Sequence, residues 1–224
     1  MMDGRGTHHL HRDLSFSLED VPAAHKFVER PGDMEELESH LLPNSQCRCN
    51  IFVLHGLGGI GKTLLAAHFA HHHRTTFTSV LWLNAQSDFC LRRDLEVYGR
   101  KILDIQGGVA DGGDLASTAL DWLFGGTNTG WLLVLDQLGG DCARTSALES
   151  QYIHRCLRGS HGSVLVTTRL SQLAQLGHSM VLRRVGQATS VSILQKWCER
   201  GSSDEHREKP PPTVIMFSAD PSLE

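Results

Sequence analysis

The sequence predicts an α/β fold built on a five-stranded, mostly parallel sheet with helices on both faces. Three observations carry that expectation. Four nearly continuous apolar runs, "NIFVLH" at 50–55, "SVLWLN" at 79–84, "WLLVLD" at 131–136 and "SVLVTT" at 163–168, have the composition of strands covered on both sides. Helix-length segments near 61–73, 88–105, 114–124, 146–158 and 170–176 separate or follow them, giving the alternation of βαβ units. The first run leads directly into a glycine-rich loop and then a helix-like segment, "VLHGLGGIGKTLLAAHFAHHH" at 53–73.

Taken in order, residues 1–24 are polar, histidine-rich and aperiodic, and read as a flexible leader. One domain is expected over 25–200. In "FVERPGDMEELESHLLP", Asp33 is placed to cap a helix whose third residue is Glu36, a variant of the capping box. Met34, Leu37, Leu41 and Leu42 give this helix an apolar face, and Pro43 stops it. In "LRRDLEVYGRK" at 91–101, Leu91, Leu95 and Tyr98 fall at i, i+4 and i+7, which makes an amphipathic helix with a solvated basic face. A weaker fifth strand, "SMVLRRV" at 179–185, carries two arginines and suits an edge; a last helix is expected over 188–200. Beyond it the composition turns charged, then proline-rich, then mixed. Residues 201–224 are read as a disordered tail or as a gene-model artefact, which transcript sequencing separates.

With 21 Lys+Arg against 25 Asp+Glu, the formal net charge of −4 supplies no electrostatic reason for a nucleic-acid partner. No apolar run reaches the roughly 20 residues needed to span a bilayer, and the N-terminus has no secretory pattern. The six cysteines lack paired zinc-ribbon spacing; Cys47 and Cys49 flank Arg48 as plain surface or linker thiols. A cytoplasmic protein with free thiols follows as the expectation.

The chemistry concentrates in Gly56-Leu57-Gly58-Gly59-Ile60-Gly61-Lys62-Thr63, a full match to G-x-x-x-x-G-K-[ST]. Glycines let the loop adopt positive φ and bring backbone N–H groups to phosphate oxygens. The helix opened by Lys62, Thr63 and Leu64 points its positive end at the same phosphates. Lys62 reaches the outer phosphates, and Thr63 offers a hydroxyl to Mg²⁺. An acid is then expected at the end of another buried strand. Asp136 closes "WLLVLD" and is placed to hold Mg²⁺ as a Walker B aspartate does. Gln137 follows, where a second acid would activate water; an amide orients water but takes no proton at neutral pH. His68 and His72 are four residues apart, but Phe69 follows His68, so the H-E-x-x-H pattern fails and the histidines read as a solvated helix end.

The ordered set of segments resembles the nucleotide-binding domain of NB-ARC proteins, the signalling P-loop NTPases of the STAND class that include NOD-like receptors, and is most like fungal members. "GLGGIGKT" is similar to their Walker A loop, and "FVERPGDMEEL" resembles the short motif over the adenine. The resemblance places Phe27 and Val28 against the adenine and Arg30 as the motif arginine, with Glu29 and Pro31 departing from the usual glycine and glutamate. "FTSVLWLNAQS" at 77–87 and "LRRVGQATSVSILQKW" near 182–197 resemble further family segments. "GSVLVTTR" resembles the sensor strand, with Arg169 sensing the terminal phosphate. The family implies the strand order 5-1-4-3-2, ADP or ATP with Mg²⁺ as ligand, slow ATPase activity at most, and protein partners or self-association. The Gly-Leu-Pro-Leu-like loop and winged-helix histidine of the family do not follow residue 200, so weak nucleotide binding is expected of this chain by itself. A small P-loop enzyme such as a metabolite kinase, and a nonfunctional remnant, are the alternative readings.

Overall fold

The computed structural model describes residues 21–24, 27–28, 30–43, 49–106, 113–125, 129–139 and 151–198. Strands β1 (Asn50–His55), β2 (Ser79–Asn84), β3 (Trp131–Leu138), β4 (Ser163–Thr168) and β5 (His178–Val181) form one sheet in the order β2-β3-β4-β1-β5. Every pairing is parallel, and β4 lies between β1 and β3, as expected.

Alternation along each strand sends its apolar side chains to two separate cores. Phe52, Leu54, Trp82, Leu132, Val134 and Leu165 pack under α1 (Pro31–Leu41) and α2 (Lys62–His72). Val53, Leu83, Leu133, Leu135, Val164 and Val166 pack under α3 (Asp88–Gln106), α4 (Leu115–Leu123) and α5 (Gln151–Cys156). Both faces of the central strands are therefore dry. Each such side chain contributes roughly 1.5–3 kcal/mol through removal from water, which is why the runs are continuously apolar. β5 has four residues with Met180 buried among them, the pattern of an edge.

On α3, Leu91, Leu95, Tyr98 and Ile102 are buried while Arg92, Arg93 and Arg100 are exposed, as the spacing predicts. Gly99 lets α4 approach α3 closely; a Cβ there would run into the Leu115 carbonyl.

Several boundaries differ from expectation. α1 starts at Pro31, with Arg30 in the capping position and no side-chain cap. The capping box of Asp33 and Glu36 does not form, because proline's preset φ and missing N–H already suit the first helical position. Asp33 sits in the first turn and pairs with Arg30 at 3.7 Å. Leu42 is extended ahead of Pro43, which ends the helix. β3 runs two residues beyond Asp136, β5 stops before the two arginines, and 171–176 is a 3-10 helix. Val21 is 7% exposed and joins the core beneath α1 and α2, so the packed body begins within the expected leader. The final helix, α6, spans Gln187–Cys198. Residues 1–20, 146–150 and 201–224, on which further sequence expectations rest, lie outside the described residues.

Candidate functional site

β1 ends at His55, the glycine loop occupies 56–61, and α2 opens on Lys62. Gly56, Gly59 and Gly61 have φ of 147°, 73° and 101°, a region side chains rarely enter. At Gly56 the chain also passes close to the segment after β5: a Cβ would stand 2.6 Å from the Leu182 carbonyl oxygen. Gly61 is the N-cap of α2 and brings no capping side chain. The first amides of α2 have no intrahelical acceptor and no cap from their own N-cap residue, which is the arrangement that receives an anion.

Lys62 is 8% exposed. Its Nζ donates to the carbonyls of Gly56 at 3.0 Å and Leu57 at 2.7 Å. Burial, then the Arg169 charge, hold its pKa below the ordinary lysine value, while Asp136 opposes them. Arg169 follows β4 and lays its guanidinium on Gly58, with Cζ 3.0 Å from the position of a Cβ there. Arg30 reaches the loop from the cap of α1: Nη2 donates to the Ile60 carbonyl at 3.0 Å and Nη1 to the Arg183 carbonyl at 3.2 Å. Burial lowers the Arg30 pKa and raises that of Asp33, against the attraction between the two. Beside the loop opens a groove of about 600 Å³ whose walls include Gly58, Ile60, Arg169, Arg183 and Arg184.

The acid lies across from Thr63. Asp136 is buried, and its Oδ1 accepts from Thr63 Oγ1 at 2.8 Å and from Thr167 Oγ1 at 2.6 Å. The β3–β4 register shifts between Leu135 and Leu138, which face Val166 and Thr168, so β3 holds one extra residue there. Bulges of this kind re-aim side chains next to functional sites. The Gln137 backbone N–H donates to Thr167 Oγ1 at 2.9 Å. Gln137 itself is exposed with φ of 61°, the one positive-φ residue other than glycine among the described residues.

The fold thus brings together Arg30, the 56–61 loop, Lys62, Thr63, Asp136 and Arg169 from four separate elements and their loops. Ile60 is buried, and Leu64 and Val28 are half-buried. Phe27 is buried and stacks on His68 at 4.4 Å between ring centroids, so it packs on the flank of α2. Thr167 escaped the sequence reading. Its signal was the pair of hydroxyl residues closing "SVLVTT".

A phosphate chain with Mg²⁺ fits these residues. The loop carries tight glycine contacts, the lysine ammonium is hydrogen-bonded by carbonyls, and a hydroxyl and a carboxylate stand together as hard oxygen donors.

The model of the NB-ARC domain matches residues 30–198, three quarters of the chain. No curated protein matches it. Among solved structures, Cdc6p from Pyrobaculum aerophilum is similar with a TM-score of 0.53 at 14% identity, over 84% of this chain and 53% of that one. The ORC1 protein of Aeropyrum pernix, solved in complex with DNA, is similar with a TM-score of 0.57 at 16% identity, over 79% of this chain and 51% of that one. At these identities the likeness concerns the fold, and the chain spans about half the length of each. The chain belongs to the NB-ARC family, and its sheet carries that family's P-loop nucleotide-binding domain.

Proposed function

We propose that the chain is the nucleotide-holding module of a STAND-class signalling ATPase of the NOD-like receptor type. It takes ADP or ATP with Mg²⁺ and works as a regulatory switch with slow or no turnover. The observation that carries this reading is Lys62: a desolvated ammonium in a glycine cradle, pressed further by Arg169, with carbonyls as its hydrogen-bond partners. An anion at the positive end of α2 relieves all three conditions at once.

In this reading the amides of Gly58, Gly59, Ile60, Gly61 and Leu64 wrap the phosphates, and Gly56 sets the turn. Lys62 and Arg169 meet the outer phosphates, Thr63 and Asp136 hold Mg²⁺, and Val28 and Arg30 border the base. When bound, Mg²⁺ neutralises phosphate charge and fixes the phosphate oxygens. Gln137 supplies no base beside Asp136, so exchange of nucleotide, rather than its hydrolysis, carries the signal. Protein partners or a second copy of the chain, in the cytoplasm, then read the switch.

Release of bound nucleotide from purified protein by denaturation tests the reading, with Lys62→Ala as control. ADP or ATP from the wild type and none from the variant is the expected result; none from either protein counts against the proposal. The switch itself requires that limited proteolysis give different patterns with ADP, with ATP and with neither, and three equal patterns would remove it.

A further inference from the structure

The other end of α2 gathers a second set of ligand-type atoms. Helix α2 runs from Lys62 to His72, so its two ends stand roughly 15 Å apart. At the far end, His73 Nε2 meets Glu38 Oε1 of α1 at 3.0 Å. The His73 side chain is 12% exposed and that of Glu38 34%. Phe69 flanks the His73 ring at 4.8 Å between centroids. His72 also converges on this point: one ligand atom each from Glu38, His72 and His73 lie within 4.8 Å of one another.

A hydrogen bond at the helix end explains Glu38 and His73. It does not explain His72. Neighbouring residues on a helix normally point about 100° apart and do not share a partner. Here His73 is the C-cap, with φ −99° and ψ 18°, so its side chain leaves the helical path and the two rings meet at 4.8 Å and 74°. Two imidazoles and one carboxylate are the donor set of three-ligand zinc sites, which keep a fourth position for water. Imidazole also suits copper and nickel, and the order of affinities places zinc among the stronger binders. Tetrahedral bonds of about 2.1 Å put ligand atoms roughly 3.4 Å apart. The Glu38–His73 pair is already that close, and no two of the three ligand atoms lie more than 4.8 Å apart.

We propose that Glu38, His72 and His73 bind a zinc-class divalent cation, which clamps α1 to the end of α2. His68, four residues before His72, is stacked against Phe27, and the partner that converges is an acid from another helix. The site is independent of the nucleotide reading.

The test is titration of the full chain with ZnCl₂ by calorimetry, followed by the visible spectrum with Co²⁺. Even partners that only support metal ligands are worth about 10–100-fold in affinity, and a direct ligand is worth more. Glu38→Gln and His72→Ala are therefore each expected to weaken binding of one equivalent by roughly a hundredfold. Glu38→Gln keeps the side-chain shape and His72 is exposed, so both variants are expected to melt normally without metal. Joint replacement of His8, His9 and His11 by Ala, and Lys62→Ala, are expected to leave zinc affinity unchanged. Three results overturn the proposal: no saturable binding, binding that Glu38→Gln and His72→Ala leave intact, or a Co²⁺ spectrum with thiolate charge transfer, which would assign the metal to cysteines.

Discussion

Helix α2 carries basic side chains at both ends, and its field treats a positive charge there in opposite ways. At its C-terminus His71, His72 and His73 face the negative end of the helix, where positive charge is favoured, and Glu38 completes the arrangement. At its N-terminus Lys62 is buried at the positive end, beside Arg169, with hydrogen bonds to two carbonyls. The same helix field therefore supports one group and opposes the other. The C-terminal cluster carries no such conflict of like charges. The N-terminal cluster stores unfavourable electrostatics that an incoming anion releases, which is the physical difference between the two ends.

The contrast is broken most strongly at Lys62. Truncating a buried, hydrogen-bonded charge partner typically costs about 2–5 kcal/mol of binding, and Lys62→Ala is expected to lose nucleotide affinity on that scale in calorimetry. Its nucleotide-free stability is expected to stay level or rise. The sign follows from proton linkage. The folded pKa of Lys62 lies below its unfolded value, so between the two the unfolded chain binds more protons and stability increases with pH. That alkaline rise should vanish in Lys62→Ala when melting is followed against pH.

Next in size is Asp136. Asp136→Ala leaves the hydroxyls of Thr63 and Thr167 without their shared acceptor, at about 1–3 kcal/mol for a buried unsatisfied group. Asp136→Asn keeps an acceptor, so urea unfolding should register a smaller loss, while the Mg²⁺ dependence of nucleotide binding should disappear. At Gln137, glycine removes the cost of a left-handed backbone, and Gln137→Gly is expected to stabilise by about 1 kcal/mol. A destabilised Gln137→Gly would show that the side chain holds the bulge together. The smallest effect belongs to the C-terminal end of α2. Without metal, Glu38→Gln is expected to cost under about 1 kcal/mol, because the amide oxygen still offers His73 an acceptor. A larger loss there would remove the contrast between the two ends.

Much of this molecule is legible in its sequence for a specific reason. Strands dry on both faces leave no polar alternation, so 50–55, 79–84 and 163–168 stand out at their true limits. The phosphate loop is equally visible, because its backbone geometry demands glycine at fixed places. The strand order was implied by family resemblance, since periodicity carries no information on which strands are neighbours. Other features depended on contacts between distant segments. The start of α1 was misplaced because Asp33 looked like a cap, while Pro31 and the reach of Arg30 to Ile60 and Arg183 set the geometry. Thr167 was hidden because its partner Asp136 comes from the adjacent strand. The histidines read as a solvated helix end because spacing along one helix cannot reveal Glu38 on another, nor Phe27 stacked on His68.

The central claim is that the positive end of α2 is an incomplete site that a phosphate-bearing ligand completes. Its most direct test is calorimetric titration of the full chain and of Lys62→Met with ADP and Mg²⁺, paired with melting of both proteins without nucleotide. The account predicts ADP binding by the wild type, none by the variant, and a nucleotide-free variant that melts at or above the wild-type temperature. A wild type that takes up no ADP, together with a variant that melts lower, would mean that Lys62 is a structural residue and would contradict the account.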